Sequence, residues 1–442
     1  MTTPPPDSPL IAAAVPTELT PTTPAATAER EPRGFAASYF AASVGIYLAI
    51  FAPVLGGLSV KIQSLVPLER ASTELGLVTG TGRSSPSSRS RWSVAFPTGP
   101  RRVPACASRG SSPARSAPSS RSSASDSHPT SPSSSSRSAA PSFFSNFAQA
   151  ALTATVADQV PERRRGRISG LVGASSSIGI LIGALGLSLL PTDLLRSLVP
   201  GAIGLVAGLV FAFTLKDRVL QRTPGGFDVK AFLASFVFNP RTHRNLGWAW
   251  LTKALIMFGY AAVTSYLTLF LATSFGMKPV EQLQWNLYAT IVSVVFTVSF
   301  SILGGVFSDR LGRRRSFVTT GGVLIGIGTG TFVLAAVVGS SAGLVVVLVA
   351  EAIIGAGAGM FLAVDTALCI AVLPNPDDTA KDLGVLNIAN TLPQTIAPFL
   401  AGIAIIPLGS ALFGNGYSLW FAFAGAVAVV GALLVYRIKG VR

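Results

Sequence analysis

The sequence predicts an all-α membrane protein, and three observations support this fold class. Of the 442 residues, 49% are hydrophobic and only 12% are charged, which is unlike a soluble enzyme of this size. Apolar runs of about 20 residues, the length that crosses ~30 Å of hydrocarbon, recur along most of the chain. The connections between these runs are alternately basic and nearly uncharged.

The chain begins with a polar segment, residues 1–34, that is rich in Pro and Thr. It lacks the basic start and the apolar core of a secretory signal peptide, so it is predicted to be a disordered cytoplasmic tail. Functional residues are therefore expected further along the chain.

Ten complete apolar runs follow the tail and predict membrane-spanning helices. They lie near Phe35 to Ser59, Phe143 to Val160, Ile168 to Leu190, Leu195 to Leu215, Leu246 to Phe275, Trp285 to Phe307, Phe317 to Val338, Leu344 to Leu373, Leu383 to Leu408 and Tyr417 to Tyr436. An eleventh run begins at Glu74 and stops where a segment rich in Ser, Arg and Pro begins.

The positions of Lys and Arg predict the orientation of these helices. The connections "PERRRGR" and "DRLGRRRS", the linker 216–245 and the tail "YRIKGVR" are basic, and the connections that alternate with them are nearly neutral. Because basic loops stay on the cytoplasmic side, both termini are predicted to be cytoplasmic. The linker separates an N-terminal transmembrane half, 35–215, from a C-terminal half, 246–442.

Residues 83–142 interrupt the first half. They include 23 Ser and nine Arg but no Leu, Ile or Met, so no membrane helix is expected there. In GC-rich DNA, Leu and Val codons read one base late give Ser, and Ala codons give Pro or Arg. We therefore interpret the segment as a frame-shifted membrane region. A genuine disordered cytoplasmic insert is the alternative.

The segment also explains much of the net charge. Its nine Arg and one acidic residue give +8 of the total of +15, and the basic loops supply the rest. Binding of anionic lipid or RNA by this segment is disfavoured, because it lacks aromatic interleaving and amphipathic periodicity. No nucleic-acid partner is therefore expected.

Residue patterns typical of catalysis do not occur in the sequence. Cys106, Cys369, His128 and His243 are isolated from one another, and no phosphate loop, zinc spacing or Ser/His/Asp set appears. We expect no enzyme activity, no cofactor, no metal site and no catalytic residues.

A weak internal repeat relates the two halves. The stretch that begins at Gln149, "QAALTATVADQVPERRRGRISGLVG", can be laid over "DTALCIAVLPNPDDTAKDLGVLNIA", which begins at Asp365. Each stretch contains an apolar helix, a short polar turn and a second helix. Parallel repeats of this kind are typical of transporters, although chance similarity between apolar sequences is the alternative.

One loop carries a family resemblance. In "GGVFSDRLGRRRS" the G-x-x-x-D-R-x-G-R-R pattern is matched by Gly305, Asp309, Arg310, Gly312, Arg313 and Arg314. The loop resembles the cytoplasmic gating loop of the major facilitator superfamily. The resemblance implies two six-helix halves, with the second and third helices of the first half missing or disrupted. The stretch from Asp365 onward is similar to bacterial sugar:cation symporters, the branch nearest to this chain.

Polar groups inside the apolar runs are the candidate site residues, because charges are costly at membrane depth. Asp365 is the candidate for proton coupling. Five amide side chains are candidates for substrate binding: Asn146 and Gln149 in the first half, and Asn387, Asn390 and Gln394 in the second. Each amide has the alternative of a purely structural interhelical hydrogen bond. Lys253 and Glu351 are placed nearer to span ends, where they would snorkel, and are weaker candidates.

The sequence and the resemblance together predict a monomeric secondary active transporter in the plasma membrane. We expect it to move a small solute, with a sugar-like one favoured, by symport with protons and by rocking of the two halves. Drug or metabolite efflux is the alternative cargo. A second alternative is a non-functional frame-shifted product or a membrane scaffold.

Overall fold

A computed structural model of the chain describes residues 34–81, 152, 155, 162–214, 243–372 and 379–439, and the secondary-structure elements within these residues are all helices. Eight helical segments in this part of the chain are long and apolar enough to cross a membrane. A shorter apolar helix at Gly173–Leu189 adds to them. The predicted all-α membrane fold is confirmed.

The first half contains five described helices and a π-helical turn. They are α1 (Phe35–Ala52), the π-helical turn Pro53–Gly57, α2 (Leu58–Gln63), α3 (Leu68–Thr81), α4 (Glu162–Leu189) and α5 (Asp193–Thr214). Helix α1, the π-helical turn and α2 form one kinked span.

The second half contains the remaining described helices. They are α6 (Arg244–Phe275), α7 (Pro279–Leu311), α8 (Arg314–Val338), α9 (Ser340–Ala371), α10 (Thr379–Leu400), the π-helical turn Ala401–Ile405, α11 (Ile406–Phe413) and α12 (Gly416–Leu434). A single 3₁₀ turn, Val435–Arg437, follows α12. Helices α10 and α11 form one span that the π-helical turn interrupts.

Local sequence explains the sharp turns between these helices. Helix α6 ends at Gly276 and α7 ends at Gly312, with φ angles of 65° and 61° that favour glycine. At the start of α7, the Lys278 backbone N–H donates to the Glu281 carboxylate at 2.9 Å. Such short connections place successive helices antiparallel in the bundle.

The turns lie at two ends of the bundle, which we name by their charge. The basic end carries Gly34, Arg244, the turn 312–313 and Lys439. The opposite end carries the turns 64–67, 190–192, 276–278, 339 and 414–415.

The two halves meet through two helix pairs. Helix α3 packs on α10 and on the π-helical turn after it, and α4 packs on α7. The α3–α10 contact is close, because a Cβ at Gly76 would lie 2.7 Å from the Pro398 carbonyl oxygen. Only glycine permits this approach of the backbones. Helix α6 is central, with 72% of its apolar window buried, against 11% for α7.

The described helices agree with most of the predicted spans. The run Leu246 to Phe275 corresponds to α6, and the five later runs correspond to α7 through α12. Helix α3 ends at Thr81, where the eleventh apolar run stops. The run Phe143 to Val160 lies outside the described residues apart from positions 152 and 155, and the segment 83–142 lies outside them altogether.

Candidate functional site

A buried ion pair joins α6 and α9 near the basic end. The Lys253 ammonium donates to the Asp365 carboxylate at 2.6 Å, and the two residues are 7% and 4% exposed. The Cys369 thiol, one turn further along α9, lies 3.7 Å from the other carboxylate oxygen. Asp365, the predicted proton-coupling residue, is therefore held opposite a cation. Lys253 does not snorkel to the surface as the sequence suggested, because Asp365 compensates its charge inside the bundle.

Next to this pair, α10 presents the predicted amide face. Leu386 of α10 packs against Cys369, which places this helix beside the ion pair. One turn further, the Asn390 Oδ1 atom is buried and has no hydrogen-bond partner among the described residues. Asn387 and Gln394 are exposed, and the Gln394 amide donates to the Asn390 carbonyl at 3.3 Å. An unpartnered buried amide oxygen is free to accept a hydrogen bond from a solute.

Some predicted site residues lie outside what the structure describes. Asn146 and Gln149, the substrate candidates of the first half, belong to this group, and the placement of the Asp309 side chain is likewise not described. The backbone of the predicted gating loop is described and forms a tight turn. The Gly312 N–H donates to the Ser308 carbonyl at 2.9 Å, and α8 begins two residues later at Arg314.

The kink in the first span creates a buried polar contact between the halves. Gly56 has a φ of 143°, and a Cβ there would lie 2.8 Å from the Thr268 hydroxyl, so this position needs glycine. Thr268 of α6 donates to the Leu55 carbonyl at 3.3 Å. Asn286 of α7 in turn donates to the Thr268 hydroxyl at 3.0 Å. The kink thus frees a backbone carbonyl that the second half then satisfies.

The halves are held together toward the opposite end. Gln63 and Gln282 exchange two amide hydrogen bonds, at 2.9 and 3.1 Å. Deeper in the bundle, the Tyr266 hydroxyl lies 3.1 Å from the Ser72 carbonyl oxygen and 2.8 Å from that of Pro398. These contacts join α6 and α7 of the second half to the first half, and so close this end of the interface.

A cavity of about 440 Å³ opens at the same end. Its lining includes Gln63, Asp193 and Arg196. Asp193 lies 3.3 Å from Arg196 and 3.7 Å from Lys61, so the mouth carries a small cluster of charges. Water in this cavity reaches the amide of Gln63 but meets the closed contact beneath it.

Comparison with known proteins identifies the family. The model of the Major Facilitator Superfamily matches residues 138–398 and 279–441, which together span more than half of the chain. The chain belongs to the major facilitator superfamily. Nearly all of the segment 83–142 lies outside the matched residues. No curated protein sequence matches the chain.

Solved structures of the superfamily share the fold at low identity. A D-xylose-proton symporter has a TM-score of 0.56 at 14% identity, covering 92% of this chain and 98% of its own. A mutant of the nucleoside transporter NupG has a TM-score of 0.54 at 12% identity, with 92% and 91% covered. A bacterial homologue of the human lysosomal transporter Spinster, inward-facing and unoccupied, has a TM-score of 0.55 at 13% identity, with 92% and 96% covered.

This superfamily member is therefore a multi-pass membrane protein of a transporter family. Sequence reasoning nevertheless missed a row of polar side chains on α7, which we call the polar stripe: Gln282, Asn286, Thr290, Ser293 and Thr297. Their spacing of three or four residues puts them on one face of a helix, and this periodicity was the available signal. Thr297 donates to the Gly355 carbonyl at 3.1 Å, so the stripe faces α9.

Glu351 is the second correction within this transporter fold. The sequence placed it near a span end, but it lies eleven residues inside α9, about 16 Å along the axis at ~1.5 Å per residue. Its side chain is buried, at 7% exposure, and accepts a hydrogen bond from Ser293 of the polar stripe. The apolar run was read from Leu344, whereas the helix begins at Ser340 and packs against its neighbours along its whole length.

Proposed function

We propose that the protein is a proton-coupled secondary transporter that moves a small polar solute, with a sugar-like one favoured, by symport across the plasma membrane. The observation that supports a polar cargo is the buried and unpartnered Oδ1 atom of Asn390 on the amide face of α10. A polyhydroxylated solute offers the hydroxyl donors that such an oxygen requires. Asn387 and Gln394 extend the same face with exposed amides.

The proposed orientation follows from charge. The basic end carries Arg310, Arg313, Arg314 and Arg315 around a single turn, and basic loops remain cytoplasmic. Both termini are then cytoplasmic and the opposite end faces outward. With Gln63 and Gln282 joined at that outer end, solute access in this structure is from the cytoplasm.

Alternating access then requires breaking the outer contacts. The named contacts between the halves, from the Gln63–Gln282 pair down to Tyr266, lie toward the opposite end. Rocking of the halves about the α3–α10 and α4–α7 pairs exposes the amide face to the outside. The Asp309 loop between α7 and α8 is proposed to hold the closed cytoplasmic gate in that second state.

Asp365 is proposed to couple solute movement to protons through its partner. Protonation of the carboxylate removes its charge and leaves the Lys253 ammonium without compensation, which weakens the 2.6 Å contact between α6 and α9. A change at this contact moves α6, the central helix. The proton state of Asp365 thereby biases the arrangement of the second half.

Transport assays in proteoliposomes test the cargo. We expect Asn390→Ala to raise the KM for the transported solute at least tenfold, because a buried hydrogen bond to the solute is lost. Ser299→Ala is the matched control, since Ser299 is exposed and bonds only within its own helix. A KM unchanged by Asn390→Ala rejects the amide site. Preferred export of apolar compounds supports the efflux alternative.

The coding DNA tests whether this chain is itself the working form. If the segment 83–142 is frame-shifted, the alternative reading frame encodes two apolar runs without stop codons, and the restored protein transports while the present chain does not. Stop codons in that frame, or equal transport by both forms, contradict the interpretation. Failure of transport in both forms favours a membrane scaffold.

A further inference from the structure

Helix α9 carries a second buried carboxyl group, and its surroundings differ from those of Asp365. We propose that Glu351 is a proton-binding site that is reached from the opposite end along the polar stripe of α7. The proposal deepens the proposed function, because it supplies the transporter with a proton site near mid-membrane. Proton binding at Glu351 itself does not depend on which solute is moved.

The depth of Glu351 is the first step. It lies eleven residues from the start of α9 at the opposite end, or about 16 Å, and hydrocarbon is ~30 Å thick. Asp365 lies six residues from the other end of the helix, or about 9 Å. Glu351 is therefore the carboxyl group nearer to the centre of the membrane.

The neighbours of Glu351 offer no compensating cation. Among the described residues, the ion pairs join Lys253 to Asp365, and Asp193 to Lys61 and Arg196. Tyr260 of α6 lies within electrostatic range of the Glu351 carboxylate, and Ser293 of α7 donates to it. Helix α8, which also packs on α9, has no charged or titratable side chain between residues 316 and 338.

A proton resolves the cost of this environment. An ionised carboxylate at this depth has one hydroxyl donor and no cation, whereas Asp365 has an ammonium at 2.6 Å. The neutral acid needs only the hydrogen bonds that Ser293 and Tyr260 offer. Uptake of a proton by a Glu351 carboxylate oxygen therefore stabilises the closed packing of α9, and its release requires opening or hydration.

The polar stripe supplies a path for that proton. It begins at Gln282, whose partner Gln63 lines the water-accessible cavity of the opposite end. The Thr290 hydroxyl lies 3.4 Å from the Asn286 side-chain oxygen, and Ser293, one turn further, contacts Glu351. Hydroxyls and amides at each turn hold water molecules or relay protons where a solute does not pass. Protons from the opposite end thus reach Glu351 while Gln63 and Gln282 keep that end closed to solute.

Infrared difference spectroscopy of the full chain in lipid nanodiscs tests the site without any transport assay. Spectra recorded while the pH changes around neutrality are expected to contain the C=O band of a protonated, dehydrated carboxyl group. Glu351→Gln should remove this band. Asp365→Asn and the exposed Glu281→Gln should leave it in place. Glu351→Asp, which keeps a carboxyl group, should shift its frequency and guards against a Gln variant that fails to insert.

The rate of hydrogen–deuterium exchange at the same band tests the path. Thr290→Val keeps the shape of the side chain but removes its hydroxyl, and should slow exchange at least tenfold. Thr290→Ser keeps the hydroxyl and should exchange at the original rate. A band insensitive to both Glu351 variants overturns the proton site, and equal exchange in Val and Ser variants overturns the path. Loss of transport with the band intact contradicts the proposed function instead.

Discussion

Separation of the Lys253–Asp365 pair is the perturbation for which the structure makes the strongest prediction. Either Lys253→Met or Asp365→Asn leaves the other charge in a site where the side chains are only 9% and 6% exposed. Breaking a buried pair by removing one partner costs about 3–5 kcal/mol, because the remaining charge stays desolvated. The unfolding equilibrium should shift by about two to three and a half orders of magnitude, at ~1.4 kcal/mol for each tenfold change.

The double variant Lys253→Met/Asp365→Asn removes both charges at once. Replacement of a buried pair by neutral groups of similar volume is close to neutral, so its stability should return to within about 1.5 kcal/mol of the parent. The signature is therefore strong non-additivity: each single change destabilises, and the second change restores stability.

Cys369 provides the assay, because its buried thiol lies one turn from Asp365. In a Cys106→Ser background it is the single cysteine of the chain, which has two. Labelling of this thiol during thermal unfolding in detergent reports when the site opens. If the double variant is no more stable than the weaker single variant, the pair is not a compensating unit. Stability unchanged in Lys253→Met refutes the reasoning outright.

Three further changes test the interface, the packing and the gate. Gln282→Ala removes two amide bonds between the halves, about 1–3 kcal/mol at ~0.5–1.5 each, and should speed thiol labelling at Ser64→Cys; unaltered labelling excludes a role in closing that end. Gly359→Ala places a Cβ against the Thr297 carbonyl oxygen and should destabilise the protein by about 1–3 kcal/mol, whereas Gly330→Ala, where a Cβ meets open space, should not; equal melting temperatures contradict the close packing. Asp309→Asn in the frame-restored protein should slow uptake while membrane insertion stays normal, and an unchanged uptake rate rejects the gating role.

Several features of this protein could be predicted from local sequence alone. The lengths of the apolar runs predict helices such as α6 and α12, because backbone hydrogen bonds in hydrocarbon must be made within each segment. The loop "GGVFSDRLGRRRS" predicts both a tight turn and the superfamily, since Gly312 must adopt a positive φ there. The stop of the apolar pattern after Glu74 anticipates the end of α3 at Thr81.

Partners distant in the chain were decided only by the tertiary structure. Asp365 is predictable as a costly acid, but its compensation depends on Lys253, 112 residues away, and on the packing of α6 against α9. The depth of Glu351 depends on where α9 begins and on Ser293 of another helix. The Gln63–Gln282 contact joins residues 219 positions apart. A sequence states which groups are expensive to bury, whereas the energy of burial depends on the groups that packing places beside them.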